Sequence, residues 1–331
     1  MNKSTLINEI MRDYDRDRQQ AERLKASRLE EVYNGLPRVL EIDNELASAG
    51  IEIAKAIVSR KDFSAEDLAR KNKALQDERE TLLNSAGLKK DYIEDVFKCD
   101  KCKDTGFVES ARCTCLKQRL ISRYYDMSNL KNILDKENFD NFELQYYSEK
   151  TAPDEGMSPK DKIKLIYQLA IKFVSEFESN PTNLLFYGKT GLGKTFMCNC
   201  IAKDILDRGH TVLYVTAGRL FKTVEDARFN RDEMVDPAEQ IDFFYSADLL
   251  IIDDLGTEFS TLATQSALFD IVNSRILEKK PTIISSNLSL RDIEQQYSDR
   301  LVSRFQGNYE FHKFLGEDIR QLKKYRFIGK K

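Results

Sequence analysis

The sequence predicts an α/β fold, a parallel sheet with helices on both faces, preceded by a small four-cysteine module and an N-terminal helical region. Three observations carry this expectation. Apolar runs at Leu184–Tyr187, Thr211–Thr216, Leu249–Asp253 and Pro281–Ser286 alternate with stretches of helical periodicity. A glycine-rich loop joins the first of these runs to a helical pattern over residues 196–206. Residues 1 to about 95 are charged, almost free of Pro and Gly, and carry apolar residues at helical spacing.

Composition sets the outer bounds. A length of 331 residues allows two or three domains. The 52 basic and 55 acidic residues leave a net charge of −3, which argues against a chain that binds polyanions over its whole surface. A hydrophobic content of 41% is enough for a core, and 32% charged residues suit long solvated helices. No apolar run reaches the roughly 18 residues of a membrane span. The opening MNKSTLINEIMRDYDRDRQQ lacks the apolar centre of a signal peptide, so a cytoplasmic chain without disulfides is expected.

Taken in order, Leu24, Leu29, Val32, Leu36 and Leu40 recur at helical spacing, interrupted by Gly35 and Pro37. A further helix is expected to start at Ser64, with Asp67 three residues on as in a capping box, and to run through Leu68, Leu75 and Leu82 to Gly87. The pattern fits a helical hairpin or small bundle, and equally a helical docking module.

Cys99-x2-Cys102 and Cys113-x-Cys115 follow, with Asp104-Thr105-Gly106 between the pairs. Four closely spaced thiolates suit a closed, structural zinc site; an iron–sulfur cluster and unbound thiols are the alternatives. Cys198 and Cys200 are two apart on a helix, about 200° around its axis, so packing is their expected role. A connector over 116–134 and a polar loop over 151–160 lead into the alternating region.

Gly188, Lys189, Thr190, Gly191, Leu192, Gly193, Lys194 and Thr195 spell a complete G-x-x-x-x-G-K-T phosphate-binding loop. In this pattern Lys194 reaches the β/γ-phosphates of a nucleoside triphosphate and the Thr195 hydroxyl takes a magnesium ion. The run ending in Asp253-Asp254 delivers two acids to the same end of a parallel sheet. Asp253 is the candidate magnesium acid, and Asp254 the candidate that orients or deprotonates the attacking water. Asn287 ends the last run, placed either to hold that water or to form a turn. Arg300 and Arg304 share one face of a short helix over 299–305, as a solvated face or as arginines supplied in trans.

The order GKTGLGKT, LLIIDDLGTE, TIISSN, DRLVSRF resembles the AAA+ ATPases of the DnaC/DnaI-type bacterial replicative helicase loaders. Glu137 to Glu143 is similar to the segment that packs at the adenine pocket there, which assigns Phe139 and Phe142 to the base. The cysteine stretch resembles the zinc module of Gram-positive and phage-borne members. The resemblance covers roughly residues 97 to 316. It implies that the loop binds ATP and magnesium with Asp253, that Asp254 takes the catalytic-acid position, that Asn287 is sensor 1, and that Arg304 is the arginine finger. Many AAA+ members carry Glu where Asp254 stands, and the shorter side chain suits a slow, switch-like ATPase. Only residues 316–331 follow the matched part, so no lid and no sensor-2 arginine is expected.

The resemblance further implies a helical partner-docking domain over 1–96, a zinc module over 97–120, a connector with the adenine-pocket segment over 121–150, and an AAA+ domain over 151–331. The expected partners are a hexameric replicative DNA helicase, single-stranded DNA and other copies of the chain, with no membrane. Arg228, Phe229 and Arg231 are the DNA-contact candidates, since single strands take basic residues and stacking aromatics; an ordinary exposed loop is the alternative. The tail from Arg320 holds six basic residues and no acid, and is either a second candidate for phosphate contact or a solvated end. An IstB-type transposition helper, a P-loop kinase and a zinc adaptor with a degenerate ATPase are the rival readings.

Overall fold

A computed structural model describes residues 3–59, 65–124, 130–152, 155–228, 237–258 and 261–328. The chain divides into two compact units, residues 11–108 and residues 1–10 with 109–331.

The helical region consists of α1 (Lys3–Gly35), α2 (Pro37–Ser59) and α3 (Ala65–Ser85). The interruption read from Gly35 and Pro37 is a helix boundary: Pro37 opens α2, where its missing N–H leaves no bond unmade. Val32, Val39, Leu83 and Ile93 form a small core. Around it Arg38 pairs with Glu41, Glu45 and Glu78, and Arg79 with Asp43. These pairs are partly solvated, so packing rather than charge holds the bundle.

The strands β1 (Phe107–Val108) and β2 (Ala111–Arg112) form a two-stranded ribbon. Next come α4 (Thr114–Tyr124), α5 (Leu130–Leu134), a 3-10 turn at Leu144–Tyr146 and α6 (Pro159–Ser175). The alternating part is β3 (Asn183–Tyr187), α7 (Lys194–Asp207), β4 (Val212–Thr216), α8 (Ala217–Arg228), α9 (Pro237–Ser246), β5 (Leu249–Leu255), α10 (Leu262–Leu277), β6 (Thr282–Ser286), α11 (Leu290–Gln296), α12 (Asp299–Asn308), β7 (Tyr309–Lys313) and α13 (Ile319–Ile328).

All five strands of the main sheet are parallel, in the order β4-β5-β6-β3-β7. Every residue of β6 is buried, as is most of β5, because helices cover both faces. Their sequences therefore read as continuous apolar runs rather than alternations. On the β4 edge, Gln118 of α4 stands in for a strand: its amide donates to Val212 O at 3.1 Å and its carbonyl accepts from Val212 N at 2.9 Å.

The sequence predicts four strands; the sheet has a fifth, β7, beside β3. Its text, YEFHK, is short and polar because it lies at an edge, and α12 runs directly into it through Tyr309. Arg275 is buried, and its hydrogen bonds run to backbone carbonyls and one hydroxyl. Its guanidinium donates to Phe244 O, Ala247 O, Pro281 O and Thr282 Oγ1, tying together the turns that precede β5 and β6. Burial lowers its pKa to about 10.

Candidate functional site

The loop from Gly188 joins β3 to α7, and Lys194 is the first residue of that helix. Gly193 precedes it at φ 94°, a left-handed conformation that L side chains rarely adopt. The first backbone N–H groups of α7 are thus left without helical partners at the mouth of a cleft. The cleft has a volume of ≈ 270 Å³. Thr190, Gly191, Gly193, Lys194 and Thr195 form its floor.

Lys194 is nearly buried and donates to Gly188 O at 2.7 Å, Lys189 O at 2.8 Å and Asn287 Oδ1 at 2.8 Å. Burial lowers the pKa of its ammonium group, while Asp254 and Asp253 pull it back up. Asn287, just past β6, also donates Nδ2 to Asp254 Oδ1 at 3.1 Å. Asp254 and Asn287 both line the cleft. Asp254 sits at φ 56° where β5 and β6 shift register, between Ile252 and Leu255. That bulge turns consecutive acids to different tasks: Asp254 faces the cleft, whereas Asp253 is 4% exposed and accepts from Thr195 Oγ1 at 3.1 Å. An oxygen-only pair of Thr195 and Asp253 fits a magnesium ion.

Phe142, Tyr146, Tyr147 and Phe196 also line the cleft, an aromatic surface suited to a flat base. Phe142 lies 5.6 Å from Phe196 and 6.1 Å from Tyr147 by ring centroids. Phe139 is not among the lining residues. The Asn138 side chain closes the local turn by accepting from Asn141 N, and Phe139 packs edge-on against Tyr167 at 5.3 Å instead. Leu192, also in the loop, is buried in the core below the cleft.

The C-terminal segment supplies residues that sequence reasoning did not assign. Ile319, Arg320 and Lys323 of α13 line the cleft, and Ile319 N donates to Gly191 O at 2.9 Å. Among the described residues β7 is followed by α13, which brings these side chains to the cleft, and the basic text of the tail was the available signal. Arg304 on α12 is elsewhere: its Nε donates to Asn273 Oδ1 at 2.8 Å, and it does not line this cleft. The side chain of Arg228, at the end of α8, and the whole of Phe229 and Arg231 lie outside the described residues.

The Sγ atoms of Cys99, Cys102, Cys113 and Cys115 lie within 4.8 Å of one another. Tetrahedral zinc with four thiolates requires sulfurs about 3.8 Å apart, so this soft, partly buried donor set fits that ion. The intervening Asp104-Thr105-Gly106 has a local purpose. The Asp104 carboxylate accepts from Lys98 N at 2.8 Å and Cys99 N at 2.9 Å, and Gly106 N donates to Cys102 Sγ at 3.3 Å. Cys198 and Cys200 are fully buried in α7 among core residues, as packing groups.

A phosphate loop on β3, acids ending β5 and one strand, β6, between them define an AAA+ P-loop ATP-binding domain. Residues 111–305 match the family described as IstB-like ATP binding protein. The chain belongs to that family. The replicative helicase loader DnaC of Escherichia coli K12 is 26% identical over 135 residues, 41% of this chain and 54% of that protein. DnaC of Buchnera aphidicola from Acyrthosiphon pisum is 23% identical over 208 residues, covering 62% of this chain and 77% of its own length. The chain spans about half the length of the first of these relatives. Among solved structures, a crystal structure of DnaI is matched at a TM-score of 0.45 and 20% identity, over 56% of this chain and 94% of that one. Among the described residues no helix is long and apolar enough to cross a membrane.

Proposed function

We propose that this chain is an ATP-dependent loader that binds a hexameric replicative DNA helicase and delivers it onto single-stranded DNA, with hydrolysis triggering release. The observation that carries the ATPase half is the Lys194–Asn287–Asp254 network on the floor of the cleft. A cation for the phosphates, an acid for the water and an amide joining them are the parts of a hydrolytic site. The loader half is supported by the similarity to DnaC.

In this reading Gly188 to Thr195 cradle the triphosphate, and Lys194 meets its terminal phosphates. Arg320 and Lys323 add positive charge from above, and Phe142 covers the base. Thr195 and Asp253 hold magnesium, which neutralises charge that develops on the phosphates. Asp254 orients the attacking water or takes its proton. Zinc held by the cysteines at 99, 102, 113 and 115 stabilises their module. Arg304 acts in trans on a neighbouring copy, and Arg228, Phe229 and Arg231 remain candidates for DNA.

The test is co-purification of the full chain with a hexameric replicative helicase, with and without ATP, followed by helicase transfer to single-stranded DNA. Nucleotide-dependent capture and release of the helicase is the expected result. Capture of a transposase in its place, the partner an IstB-type helper would take, overturns the loader reading.

A further inference from the structure

The Asp253 carboxylate is gripped from both neighbouring strands as well as from the phosphate loop. Tyr214 of β4 donates its hydroxyl to Asp253 Oδ2 at 2.8 Å, and Thr195 Oγ1 donates to the same oxygen at 3.1 Å. On the other side Ser285 of β6 donates to Asp253 Oδ1, which also accepts from Asp254 N at 3.1 Å. A carboxylate offers about four lone-pair sites; Tyr214, Ser285 and Asp254 N hold the group in place, and the remaining side faces Thr195, where a cation would sit. Little water reaches Asp253 to replace a lost donor, since it is 4% exposed.

Thr195 belongs to the phosphate loop itself. Tyr214 and Ser285 do not; they come from strands on either side of β5, so they are set by the sheet. Register pairs Thr216 with Asp253, and Tyr214 is two residues earlier on the same face of β4. The length of a tyrosine spans that offset.

We propose that Tyr214 is a positioning residue for the magnesium-binding acid: its hydroxyl, opposite that of Ser285, fixes the Asp253 carboxylate in the orientation that a divalent cation at Thr195 requires. The inference rests on the nucleotide reading above. Partners that orient metal ligands in this way are worth about 10- to 100-fold in metal affinity.

The test uses the full chain and N-methylanthraniloyl-ATP fluorescence as magnesium chloride is titrated, with a parallel measurement in EDTA. Tyr214→Phe keeps the ring and removes only the donor. It is expected to raise the magnesium concentration for half-maximal binding about 10-fold or more and to leave binding in EDTA within about two-fold. Ser285→Ala is expected to move the same midpoint in the same direction, and keeps the test available if the tyrosine variant does not fold. An unchanged midpoint in both variants overturns the proposal. So does equal weakening with and without magnesium, which is the signature of a merely structural role. A wild-type chain that binds the probe in EDTA and gains nothing from magnesium overturns the proposal alone. One that binds no probe under any condition overturns the nucleotide reading, and the proposal with it.

Discussion

Asn287 Nδ2 donates to Asp254 Oδ1 at 3.1 Å, while Asn287 Oδ1 accepts from Lys194 Nζ at 2.8 Å. One amide, just past β6, thus connects an acid of β5 to the ammonium group at the start of α7. Asn287→Ala removes the tether on Asp254 and one acceptor of Lys194, while the bonds of Lys194 to Gly188 O and Lys189 O remain. Turnover of ATP is expected to fall about 100-fold, with nucleotide binding within a few-fold of wild type. Steady-state hydrolysis beside equilibrium binding separates the two effects, and wild-type turnover would remove Asn287 from the site.

Gly191 offers a test of the loop's packing. It lies at φ 80°, and a Cβ there would meet the Asp318 carboxylate at 2.2 Å. Gly191→Ala is expected to cost about 1–3 kcal/mol in urea unfolding. Gly218, in α8, has open space around its Cβ position and no left-handed backbone. The same change there is expected to be neutral or stabilising by about 0.5–1 kcal/mol.

At the cysteine cluster, the protein purified without chelator is expected to contain about one zinc per chain by elemental analysis. Cys102→Ser removes one thiolate, and Asp104→Ala removes the acceptor that ties Lys98 N and Cys99 N into the turn. Both variants are expected to bind zinc more weakly, the first more than the second. Full zinc content in Cys102→Ser after exposure to a chelator would exclude a four-thiolate site.

Burial raises the pKa of Tyr147, Tyr214, Tyr297 and Tyr309 above the ordinary tyrosine value. The native state therefore keeps protons that the unfolded chain releases above about pH 10. Stability is unaffected below that pH and falls as pH rises through it, by up to about 1.4 kcal/mol per pH unit for each such group. Phenolate absorbance at 295 nm is expected to complete its rise only as circular dichroism at 222 nm is lost. Complete ionisation of a still-folded chain would contradict the burial of these rings.

Arg304 is half of an exposed pairing, with Asn273 at 2.8 Å and the Phe269 ring centroid at 6.0 Å. Arg304→Ala is expected to change stability by no more than about 0.5 kcal/mol. Its effect is expected only where copies assemble: hydrolysis that rises with protein concentration in the wild type stays flat in the variant. ATPase activity measured across a range of concentrations tests this, and a preserved rise would rule out action in trans.

Much of this molecule was legible because its signals are local. Gly35 and Pro37 marked a helix boundary, the apolar runs marked four strands, and the phosphate loop could be read residue by residue. Phe139 was less legible than Phe142, since which of two nearby rings faces the cleft depends on how the Asn138 turn closes. β7 escaped for a related reason: an edge strand is not buried on both sides, so its text need not be apolar.

The sequence by itself determined the helical N-terminal region, the cysteine spacing, the α/β alternation, and the phosphate-loop pattern and paired acids that make Lys194, Thr195, Asp253 and Asp254 the candidates for a nucleotide site. These follow from period, spacing and backbone chemistry within a few residues. Only the tertiary structure decided what surrounds them. Tyr214 and Ser285 reach Asp253 because the sheet order places β4 and β6 on either side of β5. Arg320 and Lys323 reach the cleft because α13 docks on the loop through Gly191 O, a contact 128 residues removed in the chain from Ile319. Such contacts depend on long-range closure of the fold, and no pattern along the sequence encodes the register that brings them together.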